Sequence, residues 1–195
     1  RGLGDVYKRQ ILAGDALLTE SFKMITSNMP SDVSAEKRIR LVNELISAAG
    51  AEGMVGGQIL DMEAESKSVS LDELQRIHEG KTAKLLSFSV IAGAILADAS
   101  EKEIEKLREF SHHIGIGFQI RDDILDLEGS EDKIGKRIGS DETNGKSTYP
   151  SLLSLEGASQ KLDEHIEKAK RLISELPLEK ELMYEFCDMI AARDH

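Results

Sequence analysis

Between Pro30 and Pro150 the chain contains no proline, and nothing else in the sequence constrains the fold so strongly. A proline inside a helix removes a hydrogen bond and clashes with the preceding turn. A long stretch without one leaves helices free to run. The apolar spacing there is helical: in "LVNELISAAG", Leu41, Leu45 and Ala48 recur at intervals of three and four. "SLDELQRIHEGKTAKLLSFSVIAGAILADA" opens on Ser70 and Glu73, a capping-box spacing, and continues with Leu74, Ile77, Leu85 and Phe88. Ser100 and Glu103 repeat that signal, and Gly129 is a plausible stop. A helix over 101–128 would measure roughly 42 Å at about 1.5 Å per residue, a length that suits a large bundle. The same reading places further helices near 11–28, 34–64, 147–175 and 179–192, and one long loop over 129–146. Aromatic residues make up only 4% of the chain, and no β-branched run is flanked by hairpin turns. The expectation is an all-α fold, a single domain without internal repeats.

A chain of 195 residues is long enough for one domain with a sizeable core. The net charge of −11 argues against nucleic acid or an anionic membrane surface as the main partner, since both require a basic patch. Cys187 is the single cysteine, so no internal disulfide forms and nothing points to an oxidising compartment. No apolar run approaches the length of about 18 residues needed to span a bilayer, and no signal peptide is visible. The expected location is the cytoplasm. Residues 1–10, "RGLGDVYKRQ", are basic and do not continue the apolar pattern that begins at Ile11. They read as a non-native junction.

"FQIRDDILDLEG" carries the chemistry. Asp122 and Asp126 are four apart and share one helix face, with Asp123 about 100° around from Asp122. Two carboxylates about 5 Å apart repel by about 3 kcal/mol at an effective dielectric near 20. A divalent cation turns that repulsion into attraction, and oxygen-only ligands favour Mg²⁺ or Ca²⁺. The bland alternative, a solvated acidic face, sits poorly with Phe118, Ile120, Ile124 and Leu125 around the cluster. An EF-hand fails as well: placing Gly129 at the loop's sixth position puts Ile124 where a ligand is required. Candidate anion ligands lie nearby in "HEGKTAKLL" (Lys81, Thr82) and "KIGKRIGSDETNGKSTYP" (Lys136, Arg137, Lys146). His112 and His113 are adjacent and point to different faces, which disfavours a two-histidine metal site. Gly115 and Gly117 each cost roughly 1 kcal/mol in a helix interior. Without a third glycine at position 120 they form no dinucleotide fingerprint, and they read as room for a close neighbour.

Several blocks together resemble the trans-isoprenyl diphosphate synthases. "GFQIRDDILDLEG" followed by "IGKRIGSDETNGKSTYPSLL" is similar to that family's second aspartate-rich motif and its downstream loop. "AGDALLTESF", "GGQILDMEAE" and "IHEGKTAKLLSFSVIAGA" resemble three further blocks in the right order, and the likeness spans about residues 11 to 195, including the terminal "AARDH". The resemblance implies an isoprenoid synthase-type helical bundle around a central cavity, usually homodimeric. It also implies head-to-tail elongation, in which an allylic diphosphate (dimethylallyl or geranyl) ionises and isopentenyl diphosphate attacks the cation. Carried over by position, Asp122, Asp123 and Asp126 resemble the Mg²⁺-bridging carboxylates, with Asp122 catalytic. Lys81 and Thr82 match the Lys-Thr motif beside the allylic diphosphate and carbocation. Phe118 and Gln119 match the Phe-Gln pair before the aspartates, Lys136 and Lys146 match diphosphate-gripping lysines, and Gln58 and Asp61 match a polar pair lining the cavity. Mg²⁺ on such a scaffold is a Lewis acid for the departing diphosphate.

One departure stands out. The family's first aspartate-rich motif and an arginine pair belong upstream of "AGDALL", where "DVYKRQ" holds the wrong residues. Residues 11–195 therefore read as the C-terminal part of one synthase domain, truncated at the N-terminus and inactive alone. The competing readings are a longer-chain synthase, which shares every motif present, a terpene cyclase, and a non-catalytic helical partner subunit. The intact Asp-Asp-x-x-Asp disfavours the last two.

Overall fold

The computed structural model describes residues 3–128 and 145–194. All described regular structure is helical: α1 (Leu3–Thr26), α2 (Ala35–Ala49), α3 (Met54–Ala64), α4 (Leu71–His78), a π-helical segment (Glu79–Ala83), α5 (Lys84–Leu96), α6 (Glu101–Glu128), α7 (Tyr149–Ser174) and α8 (Glu181–Ala192). The chain divides into two compact units, residues 1–46 and 47–195.

In the first unit α1 and most of α2 are joined by a turn that Arg38 organises. Its guanidinium donates to the carbonyls of Thr26 (3.0 Å), Pro30 (2.8 Å) and Val33 (3.0 Å). It thereby ties the carbonyl of Thr26, which the end of α1 leaves without an intrahelical donor, to those of the turn that follows. Helix α1 begins at Leu3 rather than near 11, so no break in the helix marks residue 10. Large apolar side chains along it, among them Ile11, Leu12, Leu17 and Leu18, are exposed.

In the second unit α6 is the axis, packed against α5, α7, α8 and the π segment. Phe110, Ile114, Ile116, Ile120 and Ile124 on it are buried, each contributing about 1.5–3 kcal/mol by leaving water. Both predicted capping boxes form. Glu73 N donates to Ser70 Oγ (3.3 Å) while Ser70 N donates to Glu73 Oε2 (2.8 Å). Ser100 and Glu103 make the same pair at the start of α6. Helix α7 is opened by Thr148 and Ser151 in like fashion. Polar stitches tie the bundle: Ser111 Oγ donates to Ser87 Oγ at 2.7 Å, and His113 and His165 meet Nδ1 to Nδ1 at 3.0 Å between α6 and α7.

Two long helices expected from the apolar spacing are interrupted. The stretch 34–64 divides into α2 and α3 around Gly50 and Gly53, residues that weaken a helix by about 1 kcal/mol each relative to alanine. The helix opened by Ser70 passes through the π segment before resuming as α5. The expected loop 129–146, with Gly129, Lys136 and Arg137, lies almost wholly outside the described residues.

Candidate active site

The site is built on that π segment. A π turn holds one more residue per turn than the α-helix around it and re-aims side chains locally, which is why such bulges gather at functional sites. Here it contains Gly80, Lys81 and Thr82. The segment is wedged between two helices whose glycines let its backbone approach. A Cβ on Gly57 of α3 would stand 2.1 Å from Lys81 N, and one on Gly115 of α6 would stand 2.4 Å from Ala83 Cβ. The room expected at Gly115 is thus occupied by the chain's own backbone. A Cβ on Gly117 would meet only ordinary contacts, 3.5 Å from Ile166 and Leu162.

Held this way, Lys81 and Thr82 reach different partners. Lys81 Nζ donates to Asp61 Oδ2 of α3 at 2.5 Å, and Lys146 Nζ, ahead of α7, reaches the same oxygen at 3.2 Å. Burial pushes the Asp61 carboxyl upward, but the hydrogen bonds and charges of Lys81 and Lys146 outweigh it and hold the group below its usual range. Thr82 Oγ1 donates to Gln119 Oε1 of α6 at 2.5 Å. One carboxylate between two ammonium groups leaves a local surplus of positive charge facing a cavity of about 240 Å³.

The three clustered aspartates have different surroundings. Asp122, part-exposed, accepts from Arg193 Nη2 at 2.7 Å. Asp123, 7% exposed, accepts from the backbone N–H of Tyr149 at 2.9 Å, an anion set against the N-terminus of α7. Asp126 is 2% exposed. His78 stands 4.0 Å from Asp123 Oδ1. Burial, opposed by the charges of Asp61 and Asp122, holds the imidazole down to about 4, so it is neutral at pH 7. Its Nδ1 and the Tyr149 hydroxyl are buried without a hydrogen-bond partner among the described residues.

Of the residues singled out in the sequence, Asp61, Lys81, Gln119, Asp122, Asp123 and Lys146 line this one cavity. Thr82 joins through Gln119. Asp126, Gln58 and Phe118 are not in its lining. Phe118 instead lies beneath the Arg193 guanidinium, 4.2 Å from ring centroid to Cζ. Lys136 lies outside the described residues. Sequence reasoning missed His78, Tyr149 and Arg193. The position of His78, one turn before Lys81 and so on the same side, was an available signal for the first.

No three His, Cys, Asp or Glu side chains among the described residues converge as a ready metal-binding set. A part-exposed carboxylate at the cavity, with a second beside it and two lysines in the same lining, fits Mg²⁺. That ion is usually held by one or two carboxylates, with waters and phosphate oxygens filling its remaining positions.

The family profile described as polyprenyl synthetase matches residues 5–182. Over 185 residues the chain is 76% identical to the farnesyl diphosphate synthase of Bacillus subtilis, covering 95% of this chain and 62% of that protein. It is 44% identical to the Escherichia coli farnesyl diphosphate synthase, covering 85% of this chain and 56% of that one. Among solved structures, geranyltransferase from Helicobacter pylori, complexed with magnesium and isoprenyl diphosphate, superposes with a TM-score of 0.78 at 30% identity, covering 92% of this chain and 58% of that one. The chain spans about 62% of the length of its Bacillus subtilis relative.

Proposed function

Because this chain belongs to the polyprenyl synthetase family, we propose that it supplies the diphosphate-binding half of a farnesyl diphosphate synthase site. The whole enzyme condenses isopentenyl diphosphate with dimethylallyl or geranyl diphosphate. The observation that carries the reading is the convergence of Lys81, Lys146, Asp122 and Asp123 on one cavity. Mg²⁺, which the Helicobacter pylori relative holds alongside isoprenyl diphosphate, supplies charge neutralisation of the departing diphosphate when bound.

Asp122 would hold that ion directly, with Asp123 and Asp126 completing the carboxylate scaffold. Lys81 and Lys146 bind diphosphate oxygens, and Asp61 keeps both ammonium groups aimed inward. Lys136 adds a third cation. The Thr82 hydroxyl, oriented by Gln119, turns its oxygen dipole toward the allylic cation. Val69, Leu74 and Ile77 form an apolar part of the cavity wall and keep water from the cation. Gln58 and Phe118, which lie outside that lining, would act on it only indirectly.

Nucleic acid is not a partner on this reading, and no described helix is long and apolar enough to cross a membrane. The enzyme works in the cytoplasm as a homodimer, a state that the exposed apolar side chains of α1 favour. The 195 residues alone do not elongate, since they hold only one aspartate-rich motif. A chimera carrying the N-terminal portion of the Bacillus subtilis relative tests this, with labelled isopentenyl diphosphate as the reporter. Elongation to the farnesyl length is expected, with a loss of about 10²-fold or more for Asp122→Asn, the scale seen when one stabilising group is removed. Undiminished elongation by that variant refutes the assignment.

A further inference from the structure

Beyond α8 the chain turns back onto α6. The carbonyl of Arg193 accepts from Arg121 Nε at 2.7 Å, which fixes the tail's approach. Its guanidinium then lies across Phe118, 4.2 Å from ring centroid to Cζ, and ends on Asp122 Oδ1 at 2.7 Å. Phe118 and Asp122 are four apart on α6, so one side chain covers both. The Arg193–Asp122 contact joins a single nitrogen to a single oxygen, without the two-point fork that makes arginine–carboxylate pairs strongest. Arg193 Nε is buried and has no hydrogen-bond partner among the described residues.

We propose that Arg193 is a displaceable counter-ion for Asp122: it neutralises and orients this carboxylate at the cavity until a divalent cation takes the same oxygen. This rests on the reading above that Asp122 is the metal-holding carboxylate. Both side chains retain solvent access, 21% for Arg193 and 36% for Asp122, so exchange of one cation for another needs no opening of the core. Stacking on Phe118 keeps the displaced guanidinium within a helical turn of the site. Arg193 is on this account a positioning residue. It sets how much of the cation's attraction to Asp122 is spent on displacing a resident charge.

The test is Mn²⁺ binding to the full chain, followed by electron paramagnetic resonance, together with amide hydrogen exchange of residues 188–194. Arg193→Met keeps apolar cover on Phe118 and removes the charge. It should bind Mn²⁺ about tenfold more tightly than the unmodified chain, the equivalent of about 1.4 kcal/mol. Saturating Mn²⁺ should speed exchange of the tail in the unmodified chain and leave it unaltered in Asp122→Asn. Unchanged or weaker binding by a normally melting Arg193→Met, or a tail indifferent to Mn²⁺, overturns the proposal while Asp122-dependent binding still upholds the metal site. Should Asp122→Asn bind Mn²⁺ as well as the unmodified chain, or the unmodified chain not bind it, the metal reading of Asp122 fails and this inference with it.

Discussion

Replacing Gly57 by alanine tests the seam on which the site is built. The new methyl group would stand 2.1 Å from Lys81 N, 2.5 Å from Gly80 C and 2.8 Å from Gly80 Cα. Ordinary contact begins at 3.4 Å, so the π segment must retreat by about 1.3 Å or α3 must move by as much. The obstacles are backbone atoms, which cannot swing aside as a side chain can. Overpacking of this kind typically costs about 1–3 kcal/mol. Both 2.5 Å hydrogen bonds of the segment, Lys81 to Asp61 and Thr82 to Gln119, ride on the backbone that is displaced.

Gly93→Ala is the matched control. It lies inside α5, and its added methyl group meets nothing within 4 Å. It should gain about 0.5–1 kcal/mol from helix propensity alone. Both are glycine-to-alanine changes inside helices, so the propensity gain cancels and their difference of about 1–3 kcal/mol isolates the seam. Urea unfolding followed by circular dichroism, with equal slopes in both variants, measures it. Gly57→Ala as stable as the unmodified chain, or Gly93→Ala equally destabilised, would show that the close approach is not what holds the π segment.

Two further outcomes follow from the charges. Asp61 is held below its usual 3.8 by Lys81 and Lys146 despite its burial, so its contribution is complete above about pH 4 and is lost as pH falls through the lower folded value. Asp61→Asn should cost about 1.5–3 kcal/mol at neutral pH and flatten the stability profile below pH 4, both read from urea unfolding across pH 2–7. An unaltered acid limb would contradict the ion triad. Burial, then neighbouring His112 and Lys168, hold His113 down to about 4, and burial with His113, His112 and Lys168 does the same to His165. The unfolded chain takes protons first as pH drops below about 6.5, so stability should decline between pH 6.5 and 4, by up to about 3 kcal/mol for the 5%-exposed His165. His165→Gln should make that stretch of the profile shallower, and an unchanged slope refutes the pair's role.

Where the sequence signal is local, it sufficed. Ser100 and Glu103 mark the start of α6, and the helix runs to Glu128 as its apolar spacing requires. The glycines at 50 and 53 carried the signal for the break before α3, though apolar spacing alone ran through them. The π segment had no local signature. "IHEGKTAKLL" is good α-helical sequence, and the extra residue in the turn is imposed by docking Gly80 and Ala83 against Gly57 and Gly115, which are distant in the chain. Arg193 was invisible for the same reason, since only the fold returns it to the face of α6 that carries Asp122.

Those tertiary contacts also alter what the aspartate cluster demands. From spacing alone, three equivalent carboxylates repel one another by about 3 kcal/mol per close pair and call for a divalent cation. In the folded chain they are not equivalent: Arg193 neutralises Asp122, and the first N–H of α7 receives Asp123. Part of the repulsion is therefore offset by the protein itself. Asp122 and Asp123 both line the cavity with Lys81 and Lys146, but Asp122 is the more exposed of the two and bears a counter-charge attached through one Arg193 nitrogen. A carboxylate required only for stability would be served better by a fork of two hydrogen bonds in the interior. A carboxylate whose arginine counter-ion is attached through one part-exposed hydrogen bond can exchange that cation for another, as the role proposed for Asp122 requires.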